Sequence, residues 1–242
     1  MTAFPKTLII IPALNEADSI ARVIGAIHDH APWADVVVIN DGSTDATGAI
    51  AEAHGAVVLH MPYNVGIGAA VQAGFVYAVR WGYEVAIQND GDGQHPAEEI
   101  PRLIEVLQST DADLVIGSRY IEDRGYQTPR SRRFGIWILA QLIHAITGLR
   151  CTDPTSGFRA SNWRALQVCA RTYPYDYPEP EAIVMMHRAG LRVHEIPVTM
   201  RQRLGGTSSI TPLRSAYYMI KVILAIFITL LRKTEIVRTV ES

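Results

Sequence analysis

The first half of the chain alternates short apolar runs with segments whose apolar residues recur at helical spacing. The apolar runs are TLIII, DVVVIN, AVVLH, EVAIQ and DLVIG, and the helical segments between them include SIARVIGAIHDH, GAAVQAGFVYAVRWG and PRLIEVLQ. Short continuous apolar runs separated by helices are typical of parallel strands that are buried on both faces. The pattern therefore predicts an α/β fold with a mostly parallel central sheet and right-handed crossovers.

Polar and glycine-rich stretches follow the predicted strands at one edge of the sheet. In chain order they read PALNEADS, DGSTDAT, MPYNVGIGAA, DGDGQHP and SRY. Open α/β sheets bind their ligands in the crevice beyond the carboxyl ends of the strands. We therefore expect the binding site at this edge.

The stretch QNDGDGQHP places Asp90 and Asp92 one residue apart at the end of a buried strand. Two carboxylates this close repel each other unless a positive group lies beside them. Magnesium accepts one or two carboxylates together with substrate phosphates and water, and the amide oxygen of Gln94 could join them. The flanking Gly91 and Gly93 would let a bulky ligand approach the backbone. The stretch predicts a magnesium site, with a solvated acidic turn as the alternative.

Composition and charge narrow the class of protein. The chain has 242 residues, 48% of them hydrophobic and 19% charged, which suits one large globular domain or two small ones. A formal net charge of −2 offers no global basic field for nucleic acid. Cys151 and Cys169 fit no metal or disulfide pattern, which favours a reducing compartment. The start, MTAFPKTLIII, lacks the pattern of a signal peptide, so we expect a cytoplasmic protein.

Six ordered motifs, between about Leu8 and Ile210, resemble those of the family 2 glycosyltransferases. They are IIPALNE, VVVINDGSTDAT, NVGIGAAVQAGF, NDGDGQHP, VIGSRY and TDPTSGFRA. The resemblance is strongest to the polyprenyl-phosphate branch, typified by the dolichol-phosphate mannose synthases. It implies the GT-A fold, a Rossmann-like nucleotide-diphosphosugar domain, and inversion at the anomeric carbon. It also implies Mg²⁺ or Mn²⁺ as cofactor, a nucleotide-diphosphate sugar as donor and a polyprenyl phosphate as acceptor.

The resemblance implies a donor site at the ends of the first strands and at the acidic motif. Its residues are Pro12, Leu14, Asn15, Glu16, Asp41, Gly42, Asn64, Gly66, Asp90, Gly91 and Asp92. The branch usually has an aromatic residue where Leu14 stands, so we expect base stacking to differ here. The second motif reads NDGS where the family has DDGS.

The resemblance also assigns the metal ligands and the first catalytic residues. Asp90, Asp92 and Gln94 correspond to metal ligands of the family. Asp92 is a catalytic candidate through that metal. Arg119, in GSRY, is a second candidate because it corresponds to an arginine that faces the donor and acceptor phosphates.

Basic residues point to a phosphate-bearing acceptor, and two serines belong to the same predicted acceptor site. Arg132 and Arg133 lie in RGYQTPRSRR, and Arg203 lies in MRQRLGGTSSI. Arginine forks match phosphate oxygens, although charged loops can also be merely solvated. By the resemblance, Ser156 lies in the acceptor loop and Ser209 stands where the branch has a lysine. A phosphate monoester has a second pKa near ~6, so it is already ionised at neutral pH and needs no base.

One feature points to a different acceptor. Glu179, in DYPEPEAIVMMHRAG, stands where hydroxyl-acceptor members of the family carry their catalytic base, and Glu181 is the acid that follows. Transfer to a glycan hydroxyl, with Glu179 as base, is therefore an alternative. The same residues could simply begin a helix, with Pro180 and Glu181 in its first turn. A catalytically silent subunit that binds a nucleotide sugar is an alternative from another class.

The last apolar segment, SAYYMIKVILAIFITLLRK, is interrupted only by Lys221 and Thr229. A helix of this composition is buried, lies against lipid or docks on a small membrane protein. It falls short of the ~20 apolar residues that span a bilayer comfortably, so a true membrane span is the less favoured alternative. The sequence thus divides into a GT-A domain, 1–211, and an apolar helix with a tail, 212–242. We expect peripheral association with the inner face of the membrane.

Overall fold

The computed structural model describes residues 4–122, 129–201 and 212–231. Within these ranges, the central sheet is built from seven strands. They are β1 (Thr7–Ala13), β2 (Asp35–Asn40), β3 (Val57–His60), β4 (Val85–Gln88), β5 (Leu114–Ser118), β6 (Arg159–Asn162) and β7 (Val193–Pro197). Their order in the sheet is β3-β2-β1-β4-β6-β5-β7. All neighbours pair in parallel except at β6, which is antiparallel to β4 and β5. The predicted α/β fold with a mostly parallel sheet is confirmed.

Helices cover both faces of the sheet. In the described ranges they are α1 (Ile20–His30), α2 (Thr47–Ala53), α3 (Ile67–Arg80), α4 (Ile100–Ser109), α5 (Arg130–Thr147), α6 (Trp163–Arg171), α7 (Pro178–Arg188) and α8 (Pro212–Leu231). The apolar sides of α1, α2 and α4 pack in one core cluster, and those of α3, α5, α6, α7 and α8 pack in the other. The sheet is thus the middle of three layers, as the alternating sequence pattern predicts.

The two cores explain why β1 is continuously apolar. Ile9 and Ile11 point into one core and Ile10 into the other, and all three are 0% exposed. Full burial of such a side chain contributes about 1.5–3 kcal/mol. Because successive side chains of a strand alternate between the faces, a strand covered on both sides needs apolar residues at every position.

Helix α8 divides its surface between the core and solvent. Val222 and Ile226 are fully buried in the core, where α8 packs against α7 and α5. The Thr229 hydroxyl donates to the carboxylate of Glu181 on α7, and Arg188 donates to the Thr229 carbonyl. The opposite side exposes an apolar stripe of Ile220, Leu224, Phe227, Ile228 and Leu231. Among the helices within the described ranges, none has the length and apolar character needed to cross a membrane.

Candidate active site

The carboxyl ends of β1 and β2 are locked together by polar contacts. Asn15, the second residue after β1, has a left-handed backbone with φ of 55°, a conformation that asparagine tolerates better than most residues. Its side-chain oxygen accepts from the backbone N–H of Thr44 at 2.9 Å, and its own N–H donates to the Ser43 hydroxyl at 3.0 Å. The turn after β2 is therefore fixed against the turn after β1.

Asp41 and Gly42 join this turn to the loop after β3. The Asp41 carboxylate accepts from the backbone N–H groups of Val65 at 2.7 Å and Gly66 at 3.1 Å. Gly42 has φ of 72°, and a Cβ placed there would lie 2.6 Å from the backbone nitrogen of Asn64. Only glycine, which has no Cβ, fits where the two loops come this close. The structure thus brings Asp41, Gly42, Asn64 and Gly66 together, and their contact with the donor stays a prediction.

The other predicted donor residues lie around the same turn. Pro12 is buried near the end of β1, and its carbonyl faces Gly91 of the acidic motif. The Ser19 hydroxyl lies 2.8 Å from a Glu16 carboxylate oxygen and 2.7 Å from the Gly91 carbonyl. Leu14 is 39% exposed. The strand ends and the acidic motif are therefore one connected surface.

Tyr63 adds an exposed aromatic ring that the sequence analysis did not select. Its side chain is 68% exposed, on the loop whose backbone packs against Gly42. The only signal in the sequence is a single aromatic residue between the strand and the glycines of MPYNVGIG. Tyr63 and Leu14 lie on loops at either side of the Asp41–Ser43 turn.

His95 holds the first carboxylate of the acidic motif. The backbone N–H of Asp90 donates to His95 Nδ1 at 2.9 Å, so the proton of the neutral ring is on Nε2. Nε2 lies 3.4 Å from the Asp90 carboxylate. Burial lowers the pKa of His95 to about 4, while the charges of Asp92 and Arg119 act in opposite directions. At neutral pH, His95 is thus an uncharged support for Asp90.

The residues of the motif fit a hard divalent cation. Asp90, Asp92 and Gln94 are each partly exposed, and an Asp92 oxygen accepts from the Gln94 backbone N–H at 3.0 Å. Gly157 approaches from the loop before β6, and a Cβ there would lie 3.1 Å from an Asp90 carboxylate oxygen. Within the described ranges no group of three His, Cys, Asp or Glu side chains could hold a metal. Two carboxylates suit Mg²⁺ or Mn²⁺, because such an ion fills its remaining coordination positions with substrate phosphates and water. Ligation by Gln94 stays a prediction.

Arg119 lies beside this motif in a buried ion pair. Its Nε and Nη2 donate to the two carboxylate oxygens of Asp153 at 2.6 and 2.7 Å, and Nη2 also donates to the Thr155 hydroxyl at 3.0 Å. Arg119 is 9% exposed and Asp153 is 0% exposed. The sequence predicts that Arg119 contacts the phosphates, but it did not identify Asp153 as the partner of Arg119. Asp153 was visible in TDPTSG, where a buried acid needs a cation.

Glu179 lies within electrostatic reach of the acidic motif. Burial raises its pKa, Arg159 opposes the shift and the charge of Asp90 adds to it. Arg159, on β6, is 3% exposed and donates to the carbonyls of Ser156 at 2.6 Å and Pro154 at 3.0 Å. The structure thus confirms that Glu179 begins a helix, α7, and also brings it to the site.

The predicted acceptor residues are only partly described. Arg133 is exposed, and its guanidinium lies 6.0 Å from the centre of the Tyr120 ring, with Arg119 on the same ring at 5.4 Å. Arg132 is exposed near the start of α5. Ser156 is 1% exposed and donates its hydroxyl to the Gly117 carbonyl at 2.6 Å, so its contact with an acceptor stays a prediction. Arg203 and Ser209 lie outside the described residues.

Known proteins match this chain over most of its length. The protein-family model described as Glycosyl transferase family 2 matches residues 8–167. The chain belongs to glycosyl transferase family 2. An undecaprenyl-phosphate mannosyltransferase of Micrococcus luteus is 34% identical, covering 85% of this chain and 88% of the relative. A polyprenol monophosphomannose synthase of Mycolicibacterium smegmatis is 32% identical, covering 85% and 81%.

Solved structures agree with the fold of the glycosyltransferase. Glucosyl-3-phosphoglycerate synthase from Mycobacterium tuberculosis, in complex with Mn²⁺, UDP and phosphoglyceric acid, has a TM-score of 0.71 at 22% identity, covering 97% of this chain and 80% of that protein. The same enzyme with Mg²⁺ and UDP has a TM-score of 0.71 at 23% identity, covering 97% and 81%. The GT-A fold implied by the resemblance is confirmed, as is membership of an enzyme family.

Proposed function

We propose that this glycosyltransferase moves a sugar from a nucleotide-diphosphate sugar to a polyprenyl phosphate, with inversion at the anomeric carbon and with Mg²⁺ or Mn²⁺. The observation that carries the proposal is the convergence of Asp90, Asp92 and Arg119 at one edge of the sheet. Relatives named for undecaprenyl phosphate and polyprenol support a lipid phosphate as acceptor. Neighbours crystallised with Mn²⁺ or Mg²⁺ and UDP support the metal and the nucleotide.

The residues of the site suit the charge that develops during transfer. Negative charge builds on the nucleotide diphosphate as the sugar leaves it. When bound by Asp90 and Asp92, a divalent cation supplies Lewis-acid stabilisation of that charge. The guanidinium of Arg119 carries a positive charge, and the two carboxylate oxygens of Asp153 fix it in place. Charges oriented before the reaction are usually the largest catalytic contribution, because they need no reorganisation.

A lipid phosphate would reach this site already ionised. Its oxygen can attack the anomeric carbon without losing a proton, so no side chain has to act as base. Arg133 and Arg119 lie over the same ring of Tyr120, which places an exposed cation next to the buried one. Two guanidinium groups so close together would bind two acidic groups, the departing diphosphate and the incoming phosphate.

A glycan hydroxyl is the second candidate for the acceptor. It is favoured by Glu179, which lies near Asp90 and has a raised pKa, a property that suits a general base near neutral pH. The two candidates require different residues for the same transfer. Substitutions at Glu179 and at the arginines therefore separate them.

For a lipid phosphate acceptor, Glu179→Gln should change turnover by less than about threefold, since no proton has to be removed. Arg132→Ala and Arg203→Ala should each lower kcat/KM for the acceptor by about one to two decades, because a lost charge-assisted hydrogen bond costs about 1.5–3 kcal/mol. The measurement is transfer to undecaprenyl phosphate and, separately, to a simple glycan.

Two exposed positions far from the site provide matched controls. Arg80→Ala and Glu105→Gln make the same chemical changes on the surface of α3 and α4 and should leave the kinetics unchanged. A hydroxyl acceptor would invert the pattern. Glu179→Gln would then lose the ~10²–10⁴ of general base catalysis, and the arginine variants would stay nearly active. That result would overturn the choice of a lipid phosphate.

The exposed stripe of α8 fits a membrane surface as the place where this acceptor is met. Ile220, Leu224 and Phe227 are each at least half exposed on one side of the helix. Phe134 and Trp137, stacked on the neighbouring α5, are 61% and 56% exposed. Exposed apolar groups of this size mark interaction surfaces, and the basic start of α5 complements anionic headgroups. We propose peripheral binding to an anionic membrane through this stripe.

The double variant Leu224→Asp/Phe227→Asp should lose at least about tenfold in affinity for anionic vesicles, since each buried Leu or Phe contributes about 1.5–3 kcal/mol. Co-sedimentation with vesicles of phosphatidylglycerol measures the effect, and circular dichroism checks the fold. The control Val76→Asp/Trp81→Asp adds the same charge to exposed apolar positions away from α8. Equal binding by the parent and the α8 variant would rule out this surface.

A further inference from the structure

The carboxylate of Glu195 is enclosed by the turn that precedes Pro154. Glu195 lies on β7, opposite Ile116 of β5. One of its oxygens accepts from the backbone N–H of Thr152 at 2.7 Å, and the other accepts from the backbone N–H of Asp153 at 2.9 Å. The Thr152 hydroxyl at 3.1 Å and the Cys151 thiol at 3.1 Å add one contact to each oxygen. Both oxygens of Glu195 therefore bind the turn.

The same turn presents Asp153 to Arg119. Asp153 receives the backbone N–H of Arg119 at 3.2 Å as well as the two guanidinium bonds. Thr152, one residue earlier, shares a hydroxyl contact of 2.7 Å with Ser118, the residue before Arg119. The position of the guanidinium thus depends on the position of Asp153, which depends on the bonds from the turn to Glu195.

We infer that Glu195 is a positioning residue, which sets the place of the Arg119 guanidinium in the active site by folding the Cys151–Asp153 turn around its carboxylate. The inference rests on the proposed function only in assigning Arg119 to the phosphates. Glu195 touches neither substrate nor metal in this account. Its effect on transfer passes through Asp153 and Arg119.

Glu195→Gln isolates this effect because it keeps the shape of the side chain. The amide has one oxygen, and its NH₂ group cannot accept a hydrogen bond. Whichever way the amide is turned, the backbone N–H of either Thr152 or Asp153 faces a donor. The turn must then shift, and a misplacement of about 1 Å at a catalytic group can cost ~10²-fold in rate.

A double-mutant cycle with Arg119→Gln tests whether Glu195 acts through Arg119. Alone, Glu195→Gln should lower kcat at least about tenfold, because a displaced Arg119 guanidinium no longer stabilises the charge that develops on the departing diphosphate. In the Arg119→Gln background it should cause less than about a twofold further loss. Independent, multiplying losses in the two variants would overturn the inference. The matched control is the exposed Glu105→Gln, which should behave like the parent.

A second readout separates failure of this inference from failure of the proposed function. In protein with ¹⁵N-labelled arginine, the Nε–H signal that disappears in Arg119→Gln belongs to Arg119. Its hydrogen exchange should be at least about tenfold faster in Glu195→Gln than in the parent or Glu105→Gln. Unchanged exchange contradicts positioning, whatever the enzyme transfers. Absence of lipid-linked product from the parent contradicts the proposed function alone.

Should Glu195→Gln fail to fold, Thr152→Val tests the same turn more gently. It removes the hydroxyl that contacts Glu195 and Ser118 but keeps the backbone N–H. An increase of about two- to fivefold in Arg119 exchange is expected, because one side-chain bond to the turn is lost. A folded Thr152→Val protein with parental exchange and parental kcat would count against positioning.

Discussion

Asp92→Asn should abolish sugar transfer, by at least about 10³-fold, while the protein stays folded. The amide preserves the shape of the side chain and can still accept the backbone N–H of Gln94. It removes one of the two negative charges that we propose to hold Mg²⁺ or Mn²⁺, and with it the stabilisation of the leaving diphosphate. Transfer assays, together with Mn²⁺ titration followed by electron paramagnetic resonance, measure both consequences.

The control for this prediction is Asp29→Asn. Asp29 is an exposed residue at the end of α1, and its substitution makes the same change in net charge outside the acidic motif. It should keep parental turnover and parental Mn²⁺ affinity. A folded Asp92→Asn protein with near-normal turnover would contradict the role of Asp92 as a ligand of a required metal.

Asp153→Ala should lower the free energy of unfolding by about 3–5 kcal/mol, because it leaves the Arg119 guanidinium buried without its counter-charge. For a chain of this length, the melting temperature should fall by about 6–20 °C, at roughly 2–4 °C per kcal/mol. The carboxylate is 0% exposed and accepts three donors of Arg119, so water cannot replace it without rearrangement. Denaturant titration and calorimetry measure the loss.

An exposed ion pair provides the comparison. Asp111 pairs with Arg192 at the surface, and exposed pairs of this kind contribute about 0–1 kcal/mol. Asp111→Ala should therefore change the melting temperature by no more than a few degrees. Equal losses from Asp153→Ala and Asp111→Ala would contradict the distinction between the buried and the exposed pair.

The sequence predicted the layers of the fold because burial on both faces leaves a strong pattern. Ile9, Ile10 and Ile11 feed two separate cores, and only a covered parallel strand requires such a run. Strand β6 left no comparable signal. Its sequence, RASN, is short and polar, and its buried Arg159 donates through Nε and Nη2 to carbonyls of the preceding loop. The insertion of β6 between β4 and β5 could therefore not be predicted from apolar runs.

The acidic motif could be predicted because it is an unusual local pattern. The residues that hold the site in place, such as Glu195, could not be predicted. Two carboxylates beside two glycines are unusual at the end of a buried strand, so Asp90 and Asp92 could be selected from the sequence alone. Glu195 lies 42 residues from Asp153 along the chain. The residues around it in the sequence form no motif that would single it out. Its role depends on the pairing of β5 with β7, which no local feature encodes.

The curated relatives strengthen the assignment of the enzyme class more than the assignment of residues. Identity of 34% over 85% of the chain shows the family. The contacts of individual side chains with the substrates stay predictions. Leu14 departs from the aromatic residue that is usual in the polyprenyl-phosphate branch, so its contact with the donor has to be tested in this protein.

Transfer of a sugar to a polyprenyl phosphate with a divalent metal is the activity that we propose for this protein. The direct measurement is incubation of the full chain with undecaprenyl phosphate, Mn²⁺ and a panel of radiolabelled nucleotide-diphosphate sugars, mannose donors included. We expect a labelled lipid monophosphosugar that partitions into the organic phase, requires the metal and is absent with Asp92→Asn. Labelled glycan formed from a hydroxyl acceptor, with no lipid-linked product from any donor in the panel, would contradict it.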